Sequence, residues 1–339
     1  MSNQPNQLNQ PTNPLPMPWL TSDISNYRFL VTGGAGFIGS HLVEYLLANG
    51  AKEVRVLDNL ATGFLENINA FSGDDRFQFI NGSITDPAKC KAACEGIDFV
   101  LHHAALGSVP RSIDNPLATH EVNATGFLNM LVAARDAKVK KFIYASSSSV
   151  YGDNADMPKM EERTGHALSP YAVTKVLNEQ YALVFAEVYG LITVGLRYFN
   201  IFGPRQNPKG EYAAAIPLFI DGLMRNTPVY INGDGGQSRD FTYVANAVQA
   251  NMRALFADDA NVKGKVFNIA AGNSISINKV YSILRDALGS KQDAVYREAR
   301  KGEIRDSLAD ISRAKNTFGY APEVQAEEGL RMTLEWFRH

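Results

Sequence analysis

RFLVTGGAGFIGSHLVEYLLANG, residues 28–50, decides the fold. Its first part, Arg28–Thr32, is a short apolar run with β-branched residues, the texture of a strand buried on both faces of a parallel sheet. Its last part, Phe37–Asn49, carries apolar residues at helical spacing, with Gly50 placed to cap the helix. Between them Gly33, Gly36 and Gly39 punctuate a tight turn. A strand, a glycine turn and a helix in that order suit a dinucleotide. Gly33 permits the turn, Gly36 lets backbone approach a pyrophosphate, and Gly39 lets helix and strand pack closely. The helix N-terminus then faces the negative phosphates. Asp58 follows a second short strand, Val54–Leu57, 19 residues after Gly39. A carboxylate there accepts hydrogen bonds from both ribose hydroxyls and repels a 2′-phosphate, which favours NAD over NADP.

Outward from this unit, apolar runs recur at Phe77–Ile80, Phe99–His102, Phe142–Ala145 and Ile192–Arg197. Helical stretches separate them, notably Ala118–Ala137 and Tyr171–Val188. Such alternation predicts an α/β fold with a doubly wound parallel sheet. After about Gly203 the texture becomes rich in Pro, Gly and Asn (FGPRQNPKG, YINGDGGQSRD), which reads as a smaller region capping the sheet's carboxyl edge. The predicted division is a disordered tail and lead-in over 1–26, a nucleotide-binding domain over 27–200, and a mainly substrate-binding domain over 201–339. Part of 241–271 is expected to return to the first domain.

The 339 residues, 45% of them apolar, suffice for a substantial core. The net charge of −2, with signs interspersed, offers no footprint for nucleic acid or a membrane surface. No apolar run approaches the roughly 18 residues that span a bilayer. MSNQPNQLNQPTNPLPMP lacks the charged and apolar regions of a signal peptide, so a disordered tail and a cytoplasmic location are expected. Cys90 and Cys94, one helical turn apart, read as reduced thiols. Neither they nor the adjacent His102 and His103 have the neighbours a metal needs, so no metal is expected.

The chemistry points to Tyr171-Ala172-Val173-Thr174-Lys175. On a helix the Tyr and Lys share a face, and an ammonium beside a phenol lowers the phenol's pKa toward that of a usable base. Upstream, Ser146-Ser147-Ser148-Ser149 closes the strand KFIYA, where a serine can hydrogen-bond a reacting oxygen.

Taken in this order, these elements resemble the extended short-chain dehydrogenase/reductases, and within them the UDP-hexose 4-epimerases, over roughly residues 27–335. The resemblance implies a Rossmann-type sheet with a smaller α/β substrate-binding domain. TGGAGFIG is similar to that family's dinucleotide loop and adds Phe37 and Ile38 to the NAD contacts. Ser147 falls at the family's catalytic Ser/Thr position, four residues before the Tyr of Val150-Tyr151-Gly152. Tyr171 and Lys175 match its catalytic pair and also meet the cofactor, while Ser148 and Ser149 are implied substrate neighbours. Further implied cofactor contacts are Asn59, Ser83, Ile84, Ala104, Ala105 and Asn123. His103 lies beside the cofactor by the same analogy, with packing as its expected role. Relatives usually place an acid before Ile84. Here Ser83 stands instead, and its hydroxyl can still meet an adenine amine.

AALGSVPRS (104–112), LRYFN (196–200) and GEYAA (210–214) narrow the likeness to bacterial UDP-N-acetylglucosamine 4-epimerases of surface-polysaccharide pathways. Substrate contacts implied by this subgroup include Ser108, Asn200, Ala214, Ala215 and Tyr230. The segments SRDF (238–241) and RKGE (300–303) are similar to elements whose arginines, here Arg239 and Arg300, hold the UDP pyrophosphate, and Glu303 is a further implied substrate contact. The guanidinium fork suits phosphate oxygens. Ser307 aligns with a gatekeeper position, where a small residue leaves room for an acetamido group.

The implied reaction is reversible C4 epimerisation of UDP-N-acetylglucosamine to UDP-N-acetylgalactosamine through a 4-keto sugar, with NAD tightly held and regenerated, in a homodimer. A 4-epimerase of UDP-N-acetylglucosaminuronate or another UDP-uronic acid is the nearer alternative. A 4,6-dehydratase is disfavoured, because Ser148 and Ser149 stand where such relatives carry Asp and Glu. A non-catalytic NAD-binding regulatory protein is disfavoured by the intact Ser147, Tyr171 and Lys175.

Overall fold

The structure is a computed structural model that describes residues 19–20, 22–209, 213–299 and 305–338. Seven strands form its central sheet: Arg28–Thr32 (β1), Glu53–Asp58 (β2), Phe77–Asn81 (β3), Phe99–His102 (β4), Lys141–Ser147 (β5), Thr193–Tyr198 (β6) and Lys265–Ile269 (β7). They are all parallel, in the order β3-β2-β1-β4-β5-β6-β7. Every residue of β4 and β6 is buried, as in strands covered on both faces of a parallel sheet, Arg197 of β6 included.

The two faces follow the period of two along β1. Phe29 and Val31 point into a core shared with Phe37–Ala48 (α1) and Val244–Leu255 (α6). Leu30 points into the opposite core, with Pro87–Cys94 (α2), Gly126–Asp136 (α3) and Pro170–Tyr189 (α4). Ala215–Arg225 (α5), Ile277–Ala287 (α7) and Ala326–Phe337 (α8) pack on the first of these cores. Both cysteines lie buried in α2, and burial pushes each thiol up to about 12. Trp19 stacks on Tyr45 of α1 at 5.2 Å between ring centres, fixing the start of the described chain. Among the described residues no helix is long and apolar enough to cross a membrane.

Two elements differ from the sequence reading. The helix after the glycine turn stops at Ala48, with Asn49 as its cap; Gly50, at φ +81°, makes the left-handed step beyond it. The stretch expected as one helix over 118–137 runs unbroken from Pro116 to Asp136, but it carries a wide π turn over Glu121–Thr125 inside it, just before α3. Asn123, inside the π turn, gives the reason. Its Oδ1 accepts from Leu106 N at 2.7 Å, and its Nδ2 donates to Leu106 O at 3.1 Å. That tertiary pairing draws the helix toward the loop after β4, and single π turns of this kind gather at functional sites.

Beyond β6 the chain forms short strand pairs: Ile201–Phe202 with Thr242–Tyr243, Ser238–Arg239 with Ile275–Ser276, and Tyr230–Asn232 with Val295–Arg297. Asp240 staples this region together. Fully buried, it accepts from Ala271 N at 2.9 Å, Gly272 N at 3.1 Å and Ala309 N at 3.3 Å. Burial still raises its carboxyl to about 6. The staple fixes Arg239 on one side and Ser307 on the other.

Candidate active site

In the sheet the chain order reverses between β1 and β4, which opens a crevice at the strands' carboxyl ends. A cavity lies there, lined by Gly33 and Gly36 from the glycine turn, by Asp58 and Asn59 after β2, and by Ser83 and Ile84 after β3. His103, Ala104 and Ala105 close it from the end of β4. Gly33 has φ +69°, and a side chain there would meet Ala104 N at 2.7 Å, so two loops touch across this residue. Phe37, Ile38 and Gly39 make the first turn of α1. No side chain caps that turn, so its N–H groups remain to meet an anion. Asp58 is held in place by backbone: Ala35 N donates to Oδ2 at 3.0 Å and Leu60 N to Oδ1 at 2.8 Å. Burial raises its carboxyl above the usual range. An uncapped helix start, a side-chain-free turn and a fixed carboxylate at the second strand's end together fit a dinucleotide.

Asn59 accepts from Ala61 N at 3.1 Å, and Ser83 shares its hydroxyl with Thr85 Oγ1 at 2.8 Å. His103 Nε2 lies 2.9 Å from the Tyr198 hydroxyl, and burial pushes the imidazole down to about 3, so it is neutral. His102 packs against Phe142 and Phe127 and pairs with Thr32 Oγ1 at 2.9 Å. Asn123 lies outside the cavity lining, its side chain spent on Leu106, so it shapes the loop rather than facing the cavity. Ala61, Thr62, Gly82, Leu106 and Val122 also line the cavity. The sequence reading missed them; for Ala61 and Thr62 the signal was their place just after Asp58.

A second, wider cleft of about 720 Å³ carries Ser147, Ser148, Ser149, Tyr171, Asn200, Arg239 and Ser307 on its walls. Seven stretches of the chain meet there. Ser147 ends β5, and its Oγ accepts from Ser149 N at 3.1 Å. Tyr171 sits in the first turn of α4, whose start is fixed by Pro170 and by Ser169 accepting from Ala172 N at 3.1 Å. Lys175, one turn on, donates to Ala145 O at 2.7 Å, with Nζ 5.8 Å from the Tyr171 ring centre. Arg239 is aimed by two carbonyls, Ser238 O at 2.8 Å and Arg305 O at 2.9 Å. Asn200, at φ +40°, anchors on Asp240 O at 3.3 Å. Ser307 N donates to Ser238 O at 3.1 Å, which seats the small residue on the wall.

The electrostatics differ from the sequence expectation of a phenol lowered by its lysine. Burial raises Tyr171 above its ordinary range, and a hydrogen bond with Ser147 offsets part of that. Burial also pulls Lys175 down to about 8. Burial acts on both groups, so the desolvation that penalises phenolate at Tyr171 also penalises ammonium at Lys175.

Other sequence-read residues stand elsewhere. Ser108 caps the helix Val109–Asp114, accepting from Arg111 N at 3.2 Å, and lies outside both linings; the next residues, Val109, Pro110 and Ile113, build the cleft's apolar wall with Leu168. Ala214 precedes α5 and Ala215 begins it, both off the linings. Tyr230, also off them, lies under the Arg297 guanidinium at 3.2 Å from its ring centre. Arg300, Glu303 and the segment 210–212 fall outside the described residues. Lys159, which no motif marked, lines the cleft with its ammonium bonded to Asn154 O.

A family model described as the NAD dependent epimerase/dehydratase family matches residues 29–270. The chain belongs to that family. It is an enzyme family whose cofactor is NAD, which accords with the first cavity. Among solved structures, the chain is similar to a UDP-N-acetylglucosamine 4-epimerase from Methanobrevibacter ruminantium in complex with UDP-N-acetylmuramic acid. That chain is 40% identical, with TM-score 0.87, over 93% of this chain and 99% of that one. A UDP-glucose 4-epimerase from Thermotoga maritima, with UDP-glucose, is 38% identical with TM-score 0.86, over 92% and 98%. A UDP-glucuronic acid 4-epimerase from Bacillus cereus, in complex with NAD and a fluorinated UDP-glucuronic acid, is 33% identical with TM-score 0.85, over 92% and 99%. The fold of this epimerase family member is therefore the α/β doubly wound one that its sequence implies.

Proposed function

We propose that this enzyme interconverts UDP-N-acetylglucosamine and UDP-N-acetylgalactosamine at C4. One observation carries the reading: Ser147 and Tyr171 share a single cleft with the small Ser307, beside the cofactor cavity. The likeness to the Methanobrevibacter enzyme supports it. NAD, when bound, supplies the hydride acceptor and donor. The rest falls to the chain. Tyr171 takes the proton from the sugar O4 as hydride leaves C4, giving a 4-keto sugar, and Ser147 orients that oxygen. Lys175 steadies the phenolate. Arg239 holds the diphosphate while the sugar turns over, so that Tyr171 returns the proton with hydride arriving on the opposite face.

The test is product analysis of the pure enzyme with UDP-N-acetylglucosamine, UDP-glucose and the UDP-N-acetylglucosaminuronate separately, without added cofactor. UDP-N-acetylgalactosamine should form fastest. A second reading has an observation of its own: Lys159, a buried lysine, is among the residues lining the cleft, and a cationic side chain there suits an acidic sugar. Faster turnover of the uronate in the same assay replaces the first reading with this one. Turnover of none removes both.

The homodimer belongs to the same proposal. Val173, Val184 and Val188 stand exposed on α4, and Leu117 stands exposed on the adjoining helix 116–120. An apolar stripe of this kind suits a second copy. Light scattering should give twice the chain mass, and Val184→Glu with Val188→Glu should return the monomer.

A further inference from the structure

We propose that Glu179 is a positioning residue acting through Lys175: its carboxylate, clamped by Arg197 and Ser146 one helical turn beyond the lysine, fixes a negative charge on the lysine's face of the helix and holds the serine strand end in register with Tyr171. This rests on the epimerase reading above. Tyr171, Lys175 and Glu179 follow at four-residue spacing, so they share one face of α4. Each engages the end of β5. Tyr171 bonds with Ser147, Lys175 Nζ donates to Ala145 O at 2.7 Å, and Ser146 Oγ donates to Glu179 Oε1 at 2.5 Å. Three consecutive residues of the strand are thus fixed by three successive turns of the helix.

From β6, Arg197 meets the same carboxylate as a fork: Nε donates to Oε1 at 2.9 Å and Nη2 to Oε2 at 2.8 Å. The two side chains are 4% and 10% exposed, so water does not compete for the pair. The Tyr151 ring covers the guanidinium at 4.9 Å, and its hydroxyl donates to Asn268 Oδ1 at 2.6 Å. The carboxylate therefore has one place to be.

Burial opposes a charged Lys175, and Glu179 is the group that pushes its pKa back up. The other groups around the ammonium give no such help. His102 and His103, at the end of β4, are held neutral by burial, and Tyr171 is a buried phenol. Arg197 carries a positive charge of its own. Removing the Glu179 charge leaves burial unopposed and leaves Arg197 with only the Glu161 carbonyl and the Tyr151 ring as partners, its positive charge uncompensated. Both lower the Lys175 pKa, so the ammonium is lost at lower pH and the phenolate loses its partner there.

The experiment measures kcat and KM across pH for Glu179→Gln and Ser146→Ala, alongside thermal melting and retained NAD. In Glu179→Gln the alkaline limb of kcat should move about one pH unit lower, with KM and retained NAD unchanged. Ser146→Ala keeps the charge, so it should lower kcat about tenfold or less at every pH and leave the limb in place. An unmoved limb in Glu179→Gln, or the same displacement in both variants, overturns the proposal, because the clamp would then only hold the fold. Should Glu179→Gln fail to fold, Glu179→Asp keeps the charge but withdraws it by one methylene. A partial displacement of its limb supports the proposal, and none overturns it. A wild-type enzyme that turns over no UDP-sugar removes the functional reading itself, a failure visible before any variant is made.

Discussion

Tyr171→Phe should lower kcat by about a thousandfold while the UDP-sugar and NAD still bind, since one positioned acid–base group contributes about 10²–10⁴. The factor corresponds to about 4 kcal/mol of transition-state stabilisation. The substitution removes only a hydroxyl from the first turn of α4, where Ser169 and Pro170 fix the backbone independently of the phenol. The cleft keeps its shape, and Ser147 keeps its bond from Ser149 N. Binding measured calorimetrically should therefore match wild type while turnover collapses. Turnover within tenfold of wild type would assign the proton transfer to another group, with Ser147 first in line.

Gly39→Ala should yield protein purified without NAD, inactive, and less stable by about 1–3 kcal/mol, the usual range for inserting a carbon where none fits. The first turn of α1 lies against the glycine turn, and a Cβ on Gly39 would meet Gly33 C at 2.8 Å and Gly34 Cα at 2.9 Å, with the Gly33 carbonyl oxygen closer still. Those atoms are backbone and cannot swing aside, so the helix start must move off the strand end and the dinucleotide turn opens. Gly50→Ala serves as the comparison, because nothing lies within 4 Å of a Cβ there. It meets only the cost of its own φ of +81°. Bound cofactor read by absorbance and a melting curve separate the two. Gly39→Ala protein that retains NAD would mean the close packing is dispensable.

The sequence revealed most where chemistry and local geometry coincide. β1 and β4 span the residues their apolar runs marked, because a strand buried on both faces has no other texture. Asp58 and Tyr171 were visible because their spacing is local: a strand end after a glycine turn, and one turn of helix. What stayed hidden depends on distant partners. The π turn at Asn123 arises from a bond to Leu106, which no periodicity encodes. Lys159 sits in a loop without pattern and reaches the cleft wall because its backbone pairs with Leu308 and Asp310. The direction of the Tyr171 shift depends on how deeply α4 is covered, a property of the whole packing rather than of the Tyr–Lys spacing.

The place of β7 has a consequence for synthesis. The chain leaves the sheet at Tyr198, adds Phe199, Asn200 and Arg239 to the wall of the wider cleft, and returns only at Lys265 to lie beside β6. As the polypeptide emerges from the ribosome, the nucleotide half cannot be completed on its own. Until residue 269 is made, the β6 edge presents unpaired backbone, the kind of border along which unfinished chains stick to one another. The two halves thus mature as one unit, and a fragment cut after β6 should need a chaperone rather than serve as an autonomous nucleotide binder.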